Sequence, residues 1–446
     1  HAFLMDFVAS PGGSKIQPLI PLITARAIRG FADIFKWRYF RYERAEEKLW
    51  MRMHNLYRIA EFDSFQTKRF KVYEQETQQT SCMDEYVRAL LMSPLGSGSL
   101  TARQIEMVDQ WLRNWAELTP LDKDYNPERH FFIVDTSHGQ GLRRIRPNTS
   151  TEQTYRFIST DALIDRLAHV EDAVKAGTLP ASLGLSEEFR LPDGYDLINY
   201  VRNEWAQSNE RDRRMSERQA TEGRCEVVHS LANICQRLQL DLEIATGTHG
   251  SQALTPEEIL DIKLYGFVTE RTKTAVAQRQ QGQADLSIER WPMRDRSETG
   301  IGISLKNEQS EWVKVGKLLA LRMEPASPWR IGIVRRITRL EEEWRKIGVS
   351  VLFEVPELAK LLPENDMQEL HYSNDGTAYN AGEFASTGVL IFPADTRGPS
   401  IILEAAKYAH GRHYRLQRGD DTHVIKLDSV LDKGDGWLMA SYLFLN

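Results

Sequence analysis

From residue 225 onward the apolar residues of this chain recur on alternate positions in short runs, and a period of two commits that half to β-strands. The clearest run is Gly300-Ile-Gly-Ile-Ser-Leu305, in which Ile301, Ile303 and Leu305 alternate with small or polar residues. Before it comes Cys225-Glu-Val-Val228. After it come Leu319, Leu321 and Met323, then Trp329-Arg-Ile-Gly-Ile-Val-Arg335, then Ile347, Val349, Val351 and Phe353 on one face. Six short strands joined by charged turns predict a small closed barrel, because closure leaves no open sheet edge.

Two short motifs lie at the edges of these strands. Arg214-Met-Ser-Glu-Arg218 precedes the first, and Asp295-Arg-Ser297-Glu-Thr-Gly300 opens the second. Arginine carries five donors in a rigid fork that grips phosphate bidentately and stacks on a purine face, so two arginines on one loop suit a ligand both aromatic and anionic. Asp295 can accept from the N1 and N2 donors of guanine, Ser297 can donate or accept, and Gly300 lets the backbone approach a base. Adenine lacks that paired donor edge. The competing reading is plain: a run of mixed charge is usually solvated surface, and Asp, Ser and Gly are ordinary turn residues.

With both motifs in order and flanked by strands, residues 210–355 resemble the PilZ domain, a family of six-stranded barrels that bind cyclic di-GMP. Its signature is Arg-x-x-x-Arg before the first strand and Asp/Asn-x-Ser-x-x-Gly between two later ones. Here these fall on Arg214 and Arg218, and on Asp295, Ser297 and Gly300. The stretch from Val315 to Phe353 also looks like the family's later strands. One departure is an insertion at about residues 232–288, which separates the two motifs and leaves the pairing of the first strand open. The resemblance implies a cyclic di-GMP site at Arg214, Arg218, Asp295, Ser297 and Gly300, with Arg213 a further candidate for stacking on the second guanine of a ligand dimer.

The first half reads as helical. An apolar stripe runs from Ile28 through Phe35, Tyr39, Tyr42, Leu49, Met53 and Leu56 to Ala60 and predicts one long helix. A second helix starts at Thr101 with Gln104 completing a capping box. Phe131-Phe-Ile-Val134 begins a hairpin that ends near Ile145, and helices are predicted at residues 161–176 and 193–207, the latter leading into the arginine loop. Within the insertion, Thr255-Pro-Glu-Glu marks a helix start and Gln278-Arg-Gln-Gln-Gly-Gln283 a mobile loop. Trp37-Arg-Tyr-Phe-Arg-Tyr42 reads as helix core with arginines reaching solvent, or else as a partner surface or a nucleic-acid stacking platform.

After Val355 further strands at residues 388–392, 401–408, 413–416, 423–427 and 437–445 predict a second small β-domain lacking both motifs, suited to packing or partner contact. The overall expectation is an α+β multidomain chain: a mainly helical region over 16–209, the PilZ-like barrel over 210–355, and the second β-domain over 356–446.

Composition bounds the rest. A chain of 446 residues with 41% hydrophobic content supports several cores, and its net charge of -6 argues against a nucleic-acid binder and disfavours a transcription regulator. Three cysteines at no metal spacing point to reduced thiols and a cytoplasmic protein, and no apolar stretch has the length of a transmembrane span. His410, His413 and His423 with Asp420 and Asp421 read as ordinary surface rather than a metal site. No P-loop, nucleophile elbow or zinc signature marks an enzyme. The resulting expectation is a bacterial receptor of cyclic di-GMP, without cofactor or metal, that acts on a protein partner through the helical half. Its outputs would be motility, pili, exopolysaccharide or biofilm. The alternative is a ligand-independent scaffold.

Overall fold

The computed structural model describes residues 13–445 apart from 97, 147–148, 150, 186–192, 208–218, 247–255, 274–287, 325–326, 342, 364–369, 373–377, 381–386, 396–397 and 420. The chain divides into two compact units, residues 1–215 with 336–345, and residues 216–335 with 346–446.

The first unit is built on helices α1 (Ile20–Phe40), α2 (Glu47–Phe62), α3 (Cys82–Leu95), α4 (Ala102–Trp115), α5 (Asp161–Lys175) and α6 (Asp193–Trp205). The single long helix expected from Ile28 to Ala60 is two helices. Tyr42 adopts φ 60 between them, a left-handed conformation that ends a helix, although the apolar stripe continues in phase beyond it. The caps follow the sequence. Thr101 and Gln104 form the expected capping box on α4, and Ser81 forms a second with Asp84 on α3.

Helix α3 is buried nearly all round, and its charges are paired rather than exposed. Arg88 donates to Glu85 at 3.1 Å, to Asp33 at 2.6 Å and to Asp109 at 2.5 Å, while Arg29 reaches Glu85 at 2.7 Å. Such a cluster is tolerated because each charge has partners; removing one strands the others.

A four-stranded sheet of β1 (Leu121–Asp122), β2 (Phe132–Asp135), β3 (Arg143–Arg144) and β4 (Tyr155–Ile158), ordered β1-β4-β2-β3, completes this part and contains the expected hairpin. Arg144 donates to the terminal carbonyls of Glu204 and Ala206 at 2.7 and 2.6 Å, which caps the end of α6.

The second unit holds two closed six-stranded barrels. The first uses β5 (Gln219–His229), β6 (Glu289–Arg296), β7 (Gly300–Lys306), β8 (Leu318–Arg322), β9 (Arg330–Glu341) and β10 (Trp344–Glu354), in the order β10-β7-β6-β5-β8-β9. The open question of the first strand is thus resolved, since β5 pairs antiparallel with both β6 and β8.

Within the insertion lie α7 (Leu231–Ala245) and α8 (Pro256–Tyr265), the latter starting where Thr255-Pro predicted; Thr255 and the Gln278–Gln283 segment are outside the described residues. Helix α7 is fixed to the barrel by Asp241, which accepts from Trp329 Nε1 at 2.7 Å and Arg322 at 3.2 Å.

The second barrel runs through β11 (Glu357–Pro363), β14 (Thr387–Asp395), β15 (Gly398–Glu404), β16 (His413–Arg418), β17 (Asp421–Lys433) and β18 (Trp437–Leu445), with β12 (Leu370–Tyr372) and β13 (Ala378–Asn380) as a separate hairpin. The run expected as strand to Tyr408 turns into a 3-10 helix after Glu404.

Between the barrels lies one shared core. Val228, Ile234, Ile331 and Ile333 pack in one cluster with Leu390, Phe392, Ile402 and Trp437, and Trp437 Nε1 donates to the Gly316 carbonyl at 2.8 Å.

Residues 336–345, the end of β9 and the start of β10, form a tip that belongs to the first unit. The Ile337 N–H donates to the Gly98 carbonyl at 2.9 Å, the Arg339 N–H to the Tyr42 carbonyl at 3.0 Å, and the Arg339 guanidinium pairs with Glu43 at 2.7 Å. Ile337 is fully buried there. Gly98 holds φ 88, and a Cβ on it would fall on the Ile337 carbonyl oxygen, so only glycine fits.

Candidate ligand site

The Asp-x-Ser-x-x-Gly motif forms the reversal between β6 and β7. Asp295 is the penultimate residue of β6, in register with Ala220 on one side and Gly302 on the other. Its carboxylate lies against the bare Cα of Gly302, where an added Cβ would sit 2.5 Å from Oδ1. Lys346 Nζ approaches Oδ2 at 3.7 Å, and the Asp295 side chain keeps 19% of its surface open. A partly exposed carboxylate can accept hydrogen bonds from an outside donor as well as from its protein partners.

Ser297 starts the turn. Its N–H donates to the Gly300 carbonyl at 2.8 Å and its hydroxyl to the same oxygen at 3.3 Å, closing the four-residue reversal. A Cβ at Gly300 would lie 3.2 Å from the Val349 carbonyl of β10, a tight contact that a glycine avoids. The Val351 N–H donates to the Thr299 carbonyl at 3.0 Å, so the turn is stitched to β10 as well. Glu298 and Thr299 at its apex are exposed.

Asp295, Ser297 and Gly300 therefore lie together at one turn. Arg213, Arg214 and Arg218 lie outside the described residues. The chain re-enters at Gln219, which pairs with Arg296 next to the motif. Sequence reasoning missed Gly302 and Lys346. Gly302 left a signal, a second glycine two positions on from the first in an otherwise apolar run. Lys346 left none, because its proximity depends on β10 lying beside β7.

Elsewhere the other candidates resolve simply. Of the Trp37–Tyr42 segment, Tyr39 is core whereas Trp37 is 64% exposed. His410 bonds the Asp428 carbonyl at 2.9 Å; Asp420 is outside the described residues, among which no group of three or more metal-ligating side chains gathers. No helix among the described residues is long and apolar enough to cross a membrane.

A six-stranded barrel with this motif at the β6–β7 turn, preceded by a helical region, defines a PilZ-domain protein. Residues 249–355 match the middle PilZ domain of the cyclic-di-GMP receptor FimW, and residues 1–127 match the N-terminal domain of the same receptor. The two matches together span just over half of the chain, which belongs to this family of cyclic-di-GMP receptors. The PilZ match includes Asp295, Ser297 and Gly300 and begins after the three arginines and β5. No curated protein and no solved structure matches the chain.

Proposed function

We propose that the first barrel takes cyclic di-GMP between the β6–β7 turn and the segment preceding β5. In this reading Arg214 and Arg218 grip the phosphates and stack on a base, and Arg213 meets the second guanine of a ligand dimer. Asp295 and Ser297 read the guanine edge, and Gly300 lets the backbone close on it. The observation that carries the reading is the register. Gln219, covalently next to Arg218, pairs with Arg296 of the second motif. The protein then acts as a receptor that binds its ligand without converting it, in the cytoplasm. The helical half over 16–209 passes the signal to a pilus-linked partner and hence to motility, exopolysaccharide or biofilm. The part over 356–446 supports the sensing barrel over 210–355.

Calorimetric titration of the full chain with cyclic di-GMP tests this. Arg214→Ala and Arg218→Ala should each cost about 2–5 kcal/mol of binding, the range for truncating one partner of a hydrogen-bonded charge pair. Asp295→Ala should weaken cyclic di-GMP more than cyclic di-AMP. Two ligands per chain, reduced to one by Arg213→Ala, would support the stacking role, and chromatography should recover the ligand unchanged. Native affinity in both Arg214→Ala and Arg218→Ala would remove the assignment. No binding by the native chain would leave the ligand-independent scaffold.

A further inference from the structure

The tip at residues 336–345 joins chemistry at the ligand motif to the helical unit by covalent chain. We infer that this tip is the output lever of the cyclic di-GMP site: ligand capture at the β6–β7 turn is transmitted along β10 to the loops of the helical unit at Tyr42–Glu43 and Gly98. The inference rests on the ligand reading above.

Two observations meet on β10, and a third lies on the end of β9, the other strand of the tip. The motif turn is bonded to it through Val351 and Thr299 at 3.0 Å, with the Val349 carbonyl against Gly300. Asp295, the acceptor assigned to guanine, lies 3.7 Å from Lys346, the residue that follows the tip directly. The tip itself is seated in the helical unit by the Ile337–Gly98 and Arg339–Tyr42 backbone bonds and the Arg339–Glu43 ion pair.

A guanine edge that takes the Asp295 oxygens competes with Lys346 at the root of the lever. That competition bears on how β10 lies against the turn. The seat has little tolerance for such a shift. Gly98 has no room for even a methyl group beneath Ile337, and closely packed seats of this kind respond by letting go or re-seating rather than by gradual deformation. The seat includes Tyr42 at φ 60, the break between α1 and α2, so any re-seating acts on the junction of two core helices.

Thermodynamic linkage makes the inference testable without knowing the partner: if the ligand biases the seat, damage to the seat must change ligand affinity by the same factor. In the full chain, Gly98→Val forces the tip off and Arg339→Glu sets a carboxylate against Glu43. Each should shift the cyclic di-GMP dissociation constant at least fivefold, the lower end of typical coupling. Arg339→Lys should keep the native value. So should Asn114→Ala, which removes an unrelated bond to Gly184 in the same unit. Hydrogen exchange with saturating cyclic di-GMP should show protection at 295–302 together with altered exchange at 42–43, 98 and 337–339. Protection at 295–302 with unchanged exchange at the seat, and native affinity in Arg339→Glu, would overturn the lever while leaving the ligand site intact. No binding and no protection by the native chain would overturn the ligand reading and the lever with it.

Discussion

At the residue scale, the position that most governs the site is not in the motif. Gly302 is the floor on which the Asp295 carboxylate rests, and the strand on either side of it is apolar. Gly302→Ala places a methyl 2.5 Å from Oδ1, so the Asp295 carboxylate must turn away. The barrel should remain folded, since an alanine is otherwise acceptable in a strand, while cyclic di-GMP affinity falls at least tenfold, or about 1.4 kcal/mol. Paired calorimetry and thermal unfolding will check this; a native affinity would show that the seating of Asp295 is irrelevant to binding. Asp295, Ser297 and Gly300 were legible because their chemistry is local to one turn. Gly302 and Lys346 were not, because what they touch lies across the sheet from their own sequence neighbours.

At the element scale, α3 shows how a helix can be buried on all sides and still carry charge. Burial pushes the Glu85 and Asp109 carboxyls up, but the guanidinium groups of Arg29 and Arg88 around the first, and Arg88 with Arg113 and Lys36 around the second, outweigh it. Both end below the ordinary carboxylate range. Groups depressed in the folded state stabilise it fully above their unfolded values, at about pH 4, and that contribution disappears as pH falls further. Asp84, whose carboxyl burial pushes up, works in the opposite sense: its contribution is present in acid and lost as pH rises through its raised value. Arg88→Met should cost about 3–5 kcal/mol at pH 7, because it strands buried carboxylates. It should also flatten the loss of stability below pH 4. Urea unfolding of the helical unit across that range will show both; a variant as steep in acid as the native chain would exclude Arg88 as the source.

The elements were read unevenly from sequence. The capping box at Thr101 and the hairpin after Phe131 rest on short-range bonds and were visible. The break at Tyr42 was hidden because the apolar stripe keeps its phase across it, and a positive φ on tyrosine leaves no trace in the pattern. Strand β6, Glu289–Arg296, was also obscured, since five of its eight residues are charged and Pro292 interrupts it.

At the scale of the whole molecule, the shared core between the barrels decides what unfolds together. Trp437 is 2% exposed, packs in the cluster that contains Ile333 and Leu390, and bonds Gly316 of the first barrel. Trp437→Ala should cost about 3–5 kcal/mol, as for other large core truncations. Although Trp437 is remote in sequence from the ligand motif, the loss should lower the unfolding temperature of both barrels in one transition. A chain ending at residue 355 should accordingly fail to bind cyclic di-GMP. Calorimetric scanning decides the matter, and two separate barrel transitions would refute it. The second β-domain was legible as strands, but its role was not, because the residues that join it to the first barrel are apolar side chains indistinguishable by pattern from those lining its own interior.

That common core also bears on inheritance. A barrel that buries part of its surface against its neighbour cannot be moved into another gene alone without exposing Leu390, Phe392 and Trp437 or their partners to water. The pair is therefore the smallest module that recombination can transplant intact, and drift in one barrel is answerable to the other.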